Sequence, residues 1–145
     1  MRIRASRASD VALMFDIWRD AVAATHHFLS DADREFFSGI VRNHYLPAMP
    51  FTVTVDEEDR PVAFLGMTGA RIHSLFVAPD QHGRGIGRRL IEHARHEHGE
   101  LTVDVNEQNQ SAVGFYERMG FRRIGRSDMD DSGRPYPLLH LKLAS

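Results

Sequence analysis

Apolar positions along this chain change period several times, and the changes mark out its elements. Arg2-Ile3-Arg4-Ala5 alternates as a short strand. Val11, Met14, Phe15, Trp18 and Val22 then follow the i, i+3, i+4, i+7, i+11 spacing of a helix with one buried stripe, and Ser9 or Asp10 can cap it. A second helix starts at Ser30 or Asp31, carries Phe36, Phe37, Ile40, Val41 and Tyr45 on one side, and ends at Pro47 and Pro50. Residues 51–55 and 61–67 read as strands joined by the acidic turn 56–60, a hairpin. Thr68-Gly69-Ala70 turns the chain into a strand over 71–77.

Helical spacing returns at about 85–98, with Ile86, Leu90, Ile91 and Ala94 buried and Gly99 as the stop. Leu101, Val103 and Val105 alternate as a fifth strand. A fourth helix over about 108–119 buries Ala112, Phe115 and Met119, with Gly120 as its C′ residue. Strands over 121–127 and 137–143 flank a turn at 130–133. The order β-α-α-β-β-β-α-β-α-β-β predicts an α/β (α+β) fold, a mixed sheet flanked by helices. The strands on either side of the third helix would be parallel, joined by a right-handed crossover.

The chemistry gathers at that crossover. After the strand come Pro79-Asp80 and then Gly83-Arg84-Gly85-Ile86-Gly87-Arg88-Arg89. Glycines let a ligand come close to the backbone, and a helix N-terminus favours an anionic group such as a pyrophosphate. Residues 82–96 hold four arginines against one acid, Glu92, a local excess of three positive charges with histidines neutral. A dinucleotide fingerprint would need its third glycine at Arg88. A P-loop would need a Gly-Lys-Ser/Thr ending, and the only lysine is Lys142.

The spacing Gly83-x-Gly85-x-Gly87 after a strand ending in Val-x-Pro instead resembles the acetyl-CoA loop of the GNAT superfamily of N-acetyltransferases. Residues 109–121, Asn-Gln-Ser-Ala-Val-Gly-Phe-Tyr-Glu-Arg-Met-Gly-Phe, look like the same superfamily's N-x-x-A-x-x-F-Y-x-x-x-G-F signature. Residues 106–109 and the tail from Gly125 to Leu139 are similar to the small YjaB-type bacterial acetyltransferases. The resemblance covers most of the chain from about Phe51 onward. It implies a mostly antiparallel seven-stranded sheet with four helices, one domain over residues 1–145, and acetyl-CoA as co-substrate.

By the same resemblance the backbone N–H groups of Arg84, Gly85, Ile86, Gly87 and Arg88 hold the pyrophosphate, with Gly83 opening the loop. The edge of Leu75-Phe76-Val77 bonds the pantetheine amides, Asn109 contacts the pantetheine arm, and Tyr116 is the general acid toward the CoA thiolate. His82 stands where many members carry Gln or Arg; a neutral imidazole still donates one hydrogen bond. Phe115 suits the core and Tyr116 the crevice, since neighbouring helical positions point about 100° apart. Asn109 is equally a good helix N-cap. An amine nucleophile must lose a proton before attack. The candidates for a base or for the acceptor's surroundings are His73 on the strand entering the loop, Glu107 after the fifth strand, His26 and His27 after the first helix, or a chain of waters. Each also reads as an ordinary packed or solvated side chain.

Composition narrows the field. A chain of 145 residues, 42% hydrophobic and 26% charged, suits one globular domain. With no cysteine there is no acyl-cysteine step and no thiolate metal site, and nine scattered histidines suggest no metal. A net charge of −2 argues against nucleic-acid binding, including acetylation of a charged tRNA. No run approaches a membrane span and no apolar leader opens the chain, so the expectation is cytoplasmic, without membrane partners. The acceptor is expected to be a protein lysine or a small amine. Dimers are common in such families. The competing class is a non-enzymatic acyl-CoA-binding regulatory module.

Overall fold

In the computed structural model, residues 1–48 and 50–144 are described. The strands are β1 (Arg2–Ala5), β2 (Thr52–Val55), β3 (Pro61–Thr68), β4 (Arg71–Val77), β5 (Leu101–Asn106), β6 (Arg122–Ser127) and β7 (Leu138–Leu143). The helices are α1 (Val11–Thr25), α2 (Asp31–Ile40), α3 (Ile86–His98) and α4 (Gln110–Arg118). The strands follow the order β1-β2-β3-β4-β5-β7-β6. β4 and β5 are parallel, with Arg71 opposite Thr102 and Ile72 opposite Val103. The β1–β2, β2–β3, β5–β7 and β6–β7 pairs are antiparallel, so the expected mixed, mostly antiparallel sheet is present.

The chain packs as two compact units. One comprises residues 1–66 and 74–90, the other residues 67–73 and the chain from 91 onward. In the first, Met14, Ile17, Trp18 and Val22 of α1 meet Leu46, Phe51, Val53, Val55 and Phe64. Aromatic edges knit this core, with Phe51 5.2 Å from Tyr45 and 5.6 Å from Phe64 between ring centres. Burying each large apolar side chain contributes about 1.5–3 kcal/mol, which is why the α1 stripe is legible. Gly66 sits under this core. A Cβ there would stand 2.6 Å from both Phe51 and the Tyr45 hydroxyl, and 2.7 Å from Ser74 Oγ.

Four local expectations change. Asp10 does not cap α1 with its side chain; its carboxylate turns back to the Arg7 N–H at 2.7 Å and to Arg4 at 2.8 Å. A guanidinium from β1 outcompetes the local cap. Along α2, Ser30 accepts from the Asp33 N–H as expected, and Phe37, Val41 and Tyr45 pack on the core, whereas Phe36 and Ile40 are exposed. Pro47 does not end the helical run. A π-turn, Val41–Tyr45, follows α2 and leads into a further helical turn, Leu46–Ala48, that contains it. On α4 the buried side chain is Tyr116 rather than Phe115, while Ala112, Phe115 and Met119 are half-buried. Phe121, itself buried at the entry to β6, lies 5.1 Å from the Tyr116 ring and draws that face inward.

The second unit is built on strict alternation. Leu101, Val103 and Val105 of β5 and Leu139, Leu141 and Leu143 of β7 are buried, and the residues between them are half-buried polar or apolar groups.

Candidate active site

The glycine loop joins β4 to α3 inside the first unit. Gly83 and Gly85 have φ of 81° and 74°, the left-handed region where a side chain costs roughly 1–2 kcal/mol. Both are exposed, and beyond their own chain neighbours no atom among the described residues lies within 4 Å of where a Cβ would stand. Their selection is therefore conformational, and the space beside them is open. Gly87 lies within α3, and Ile86 beside it is buried as the helix's anchor. The Arg89 N–H donates to the Gly85 carbonyl at 3.1 Å, so the helical ladder begins at the loop and its first-turn N–H groups lie at its open end. Arg84 and Arg88 are exposed. That set of donors and charges fits a pyrophosphate.

The strand feeding the loop is braced by β3. Phe76 lies 5.6 Å from Phe64, and the Ala78 N–H donates to the Val62 carbonyl at 2.9 Å. Leu75, Phe76 and Val77 are half-buried. His82 reaches back to the Val77 carbonyl with Nε2 at 3.2 Å. A carbonyl only accepts, so Nε2 carries the hydrogen. The ring thus ties the loop to its own strand.

His26 closes α1. Thr25 Oγ1 donates its single hydrogen to the Ala21 carbonyl at 2.7 Å, so the 2.7 Å contact with His26 must be donated by Nδ1–H. Nε2 then carries the lone pair. Burial first, then the Arg34 and His27 charges, lowers this histidine from 6.5 to about 4, which keeps it neutral. Such a ring is a feeble base but a good hydrogen-bond acceptor. His27 is exposed and gives Nε2–H to the Ala24 carbonyl at 3.0 Å. Nearby, α1 and α2 bound a groove of about 250 Å³ lined by Trp18, Val22, Asp31, Arg34 and Glu35. Arg34 Nε is buried there without a hydrogen-bond partner among the described residues. Neither the groove nor the Thr25 and Arg34 contacts were visible in the sequence, because they depend on how α1 and α2 turn toward each other.

In the second unit, Asn109 is buried and its side chain accepts from the Ala112 N–H at 3.2 Å, the N-cap geometry. Tyr116 is 6% exposed, and burial pushes its phenol well above the usual tyrosine range. It remains a neutral proton donor throughout the physiological range. His73 is exposed on β4 with Nε2 2.7 Å from Thr68 Oγ1. Glu107 is held by Arg126 at 2.7 Å, and that hydrogen bond lowers its carboxyl below the usual range. A carboxylate so paired is a weak proton acceptor. Among the described residues no three His, Asp or Glu side chains gather as metal ligands. None of the described helices is long and apolar enough to cross a membrane.

Comparison with known proteins adds the rest. Residues 24–136 match the Acetyltransferase (GNAT) domain family. The chain is 48% identical over 141 residues to the peptidyl-lysine N-acetyltransferase YjaB of Salmonella typhimurium, covering 97% of each. The solution structure of apo YjaB from Escherichia coli superposes with a TM-score of 0.93 at 47% identity, covering 97% of this chain and 95% of that one. The PaiA N-acetyltransferase of Thermoplasma acidophilum, solved in complex with coenzyme A, shares the fold at 16% identity with a TM-score of 0.74 over the full length of both.

Proposed function

The chain belongs to the GNAT acetyltransferase family and is an N-acetyltransferase, and from that premise we propose that it moves acetyl from acetyl-CoA to a lysine side chain of a protein by direct attack. The observation that carries the reading is the pair of left-handed, exposed glycines, Gly83 and Gly85, opening onto the start of α3. The lysine acceptor is supported by the extent of similarity to a peptidyl-lysine enzyme. Because the family match runs from 24 to 136, through segments of both units, we take residues 1–145 to act as one domain.

In this reading the N–H groups of residues 84–88 and the Arg84 and Arg88 charges hold the pyrophosphate. Leu75, Phe76 and Val77 offer strand-edge groups to the pantetheine amides. His82 steadies the loop through Val77, and binding of an amide at that carbonyl would compete with its ring. Asn109 orients α4 and contacts the pantetheine arm. Tyr116 gives a hydrogen bond, and finally its proton, to the departing thiolate. A thiol ionises near ~8.5, well below a phenol, so the thiolate leaves readily and Tyr116 supplies modest assistance.

The amine, at a pKa of ~10.4, arrives protonated. His26, neutral with an Nε2 lone pair, can accept from the incoming ammonium and orient it. His73, open to solvent beside Thr68, is the candidate to take that proton. His27 and Glu107 border the acceptor. Most of the rate enhancement comes from holding amine and thioester together.

Calorimetric titration with acetyl-CoA, followed by thiol release against lysine peptides, free lysine, N-terminal amines and polyamines, tests this directly. Micromolar binding with release that depends on lysine peptides is the expected result. Release with small amines alone would overturn the acceptor, and absence of binding would overturn the cofactor site.

A further inference from the structure

The polar face of the second unit holds a constellation to which the proposed acetyl transfer assigns no role. Asp104 of β5 and His140 of β7 are directly opposite each other in the antiparallel ladder, and His140 is opposite Gly125 of β6. His140 Nδ1 lies 2.6 Å from Asp104 Oδ1, and His140 Nε2 lies 2.8 Å from Ser127 Oγ. Arg71 of β4 donates to the other Asp104 oxygen at 2.6 Å. Four side chains from four adjacent strands thus form one hydrogen-bonded line.

The donors and acceptors in that line have only one consistent assignment for a neutral ring. An ionised Asp104 can only accept, so His140 carries its hydrogen on Nδ1 and presents a lone pair at Nε2. Ser127 must then donate its O–H to Nε2. Arg71 fixes the carboxylate from behind. Gly125 leaves room for the imidazole, since a Cβ there would stand 3.3 Å from His140 Cδ2. The His140 side chain keeps 31% of its surface exposed, so the line is reachable from solvent. Nucleophile, base and orienting carboxylate stand in hydrogen-bond reach in the order that serine acyl transfer requires.

We propose that Ser127, His140 and Asp104 form a second reactive centre, which takes an acyl group from an activated ester or thioester and passes it to water. Ser127 Oγ bonds to the acyl carbon while its proton moves to His140 Nε2. The alcohol or thiol leaves and takes that proton. Water then attacks the acyl-serine, giving a proton to His140; as the acyl–Oγ bond breaks, His140 passes that proton to Ser127 Oγ and the acid is released. Asp104 holds the imidazolium in place and stays ionised. The centre lies wholly in residues of the second unit and stands independently of the acetyl-CoA reading.

The test is covalent labelling of the full chain with an alkyl fluorophosphonate, read by intact mass and peptide mapping. One adduct, on Ser127, is expected. Ser127→Ala abolishes it, and His140→Gln slows it about 100-fold, the scale of a lost general base. Asp104→Asn slows it less. Thermal unfolding of each variant reports whether it is folded, and mapping on the unmodified chain decides even if a variant is not. No adduct, an adduct elsewhere, or labelling of a folded His140→Gln variant at the original rate would each overturn the proposal.

Discussion

Two arginine-bearing stretches of the first unit, residues 2–7 and the glycine loop at Arg84, are finished in opposite ways. In the first, Asp59 receives Arg2 at 2.9 Å, Arg4 at 3.0 Å and Arg7 at 2.8 Å, while Asp10 receives Arg4 at 2.8 Å. Asp59, in the turn between β2 and β3, has a left-handed φ of 63°. In the second, the left-handed positions are glycines and Arg84 makes no ion pair among the described residues. Arg89 extends to the Met1 carbonyl. Charges answered by the chain's own carboxylates serve the fold. Charges beside exposed backbone donors are suited to an anion that comes from outside.

Gly85→Val tests the second stretch hardest. A β-branched side chain at φ 74° is strained and would stand where the proposed acetyl-CoA approaches. Acetyl-CoA affinity should fall at least about 100-fold by calorimetry, with a modest loss of melting temperature. Unchanged affinity would erase the contrast. Tyr116→Phe sharpens it from the other side, leaving affinity intact and lowering kcat about 100-fold; turnover within threefold would remove the phenol from the reaction.

Asp10→Asn tests the first stretch. The Arg4 and Asp10 side chains are only 12% and 7% exposed, so breaking their pair should cost about 2 kcal/mol in urea unfolding and leave acetyl-CoA affinity unchanged. The same contacts define an acid limit. The Arg4 hydrogen bond holds the Asp10 carboxyl below its usual 3.8, so its contribution is full above that pH and fades as pH falls further. His26 adds a step at higher pH. Its folded value of about 4 against 6.5 means stability is complete above 6.5 and declines toward pH 4, where the unfolded chain binds the extra proton. His26→Gln should remove the upper step alone. The smallest effect belongs to Arg84→Ala, about a threefold to tenfold rise in acetyl-CoA Kd, shrinking at high salt.

The legible parts of this chain are those set by local period. The α3 stripe, the alternation of β5 and β7, and the glycine loop all stand where sequence places them, and Asn109 caps α4. What sequence misplaced depended on distant partners. Asp10 is a good cap in isolation and was captured by Arg4 from β1. Tyr116 and Phe115 are neighbouring aromatic residues, and it is Tyr116 that turns inward, against Phe121 at the entry to β6. Asp104 and His140 lie 36 positions apart, and Ser127 and His140 lie 13 apart. Their alignment needs the strand registers, which no local pattern supplies.

The π-turn at Val41–Tyr45 has a genetic consequence. A π-turn holds about one residue more than an α-turn of the same span, so this part of the chain carries a surplus residue. That surplus sets the phase of Tyr45, whose hydroxyl meets Ser74 Oγ at 2.7 Å above the sealed position of Gly66. Deleting one codon within 41–44 would leave a regular helix, swing the tyrosine about 100° away, and abandon both the Ser74 partner and the Phe51 edge. Here the reading length of the gene and the seating of one aromatic ring are the same variable.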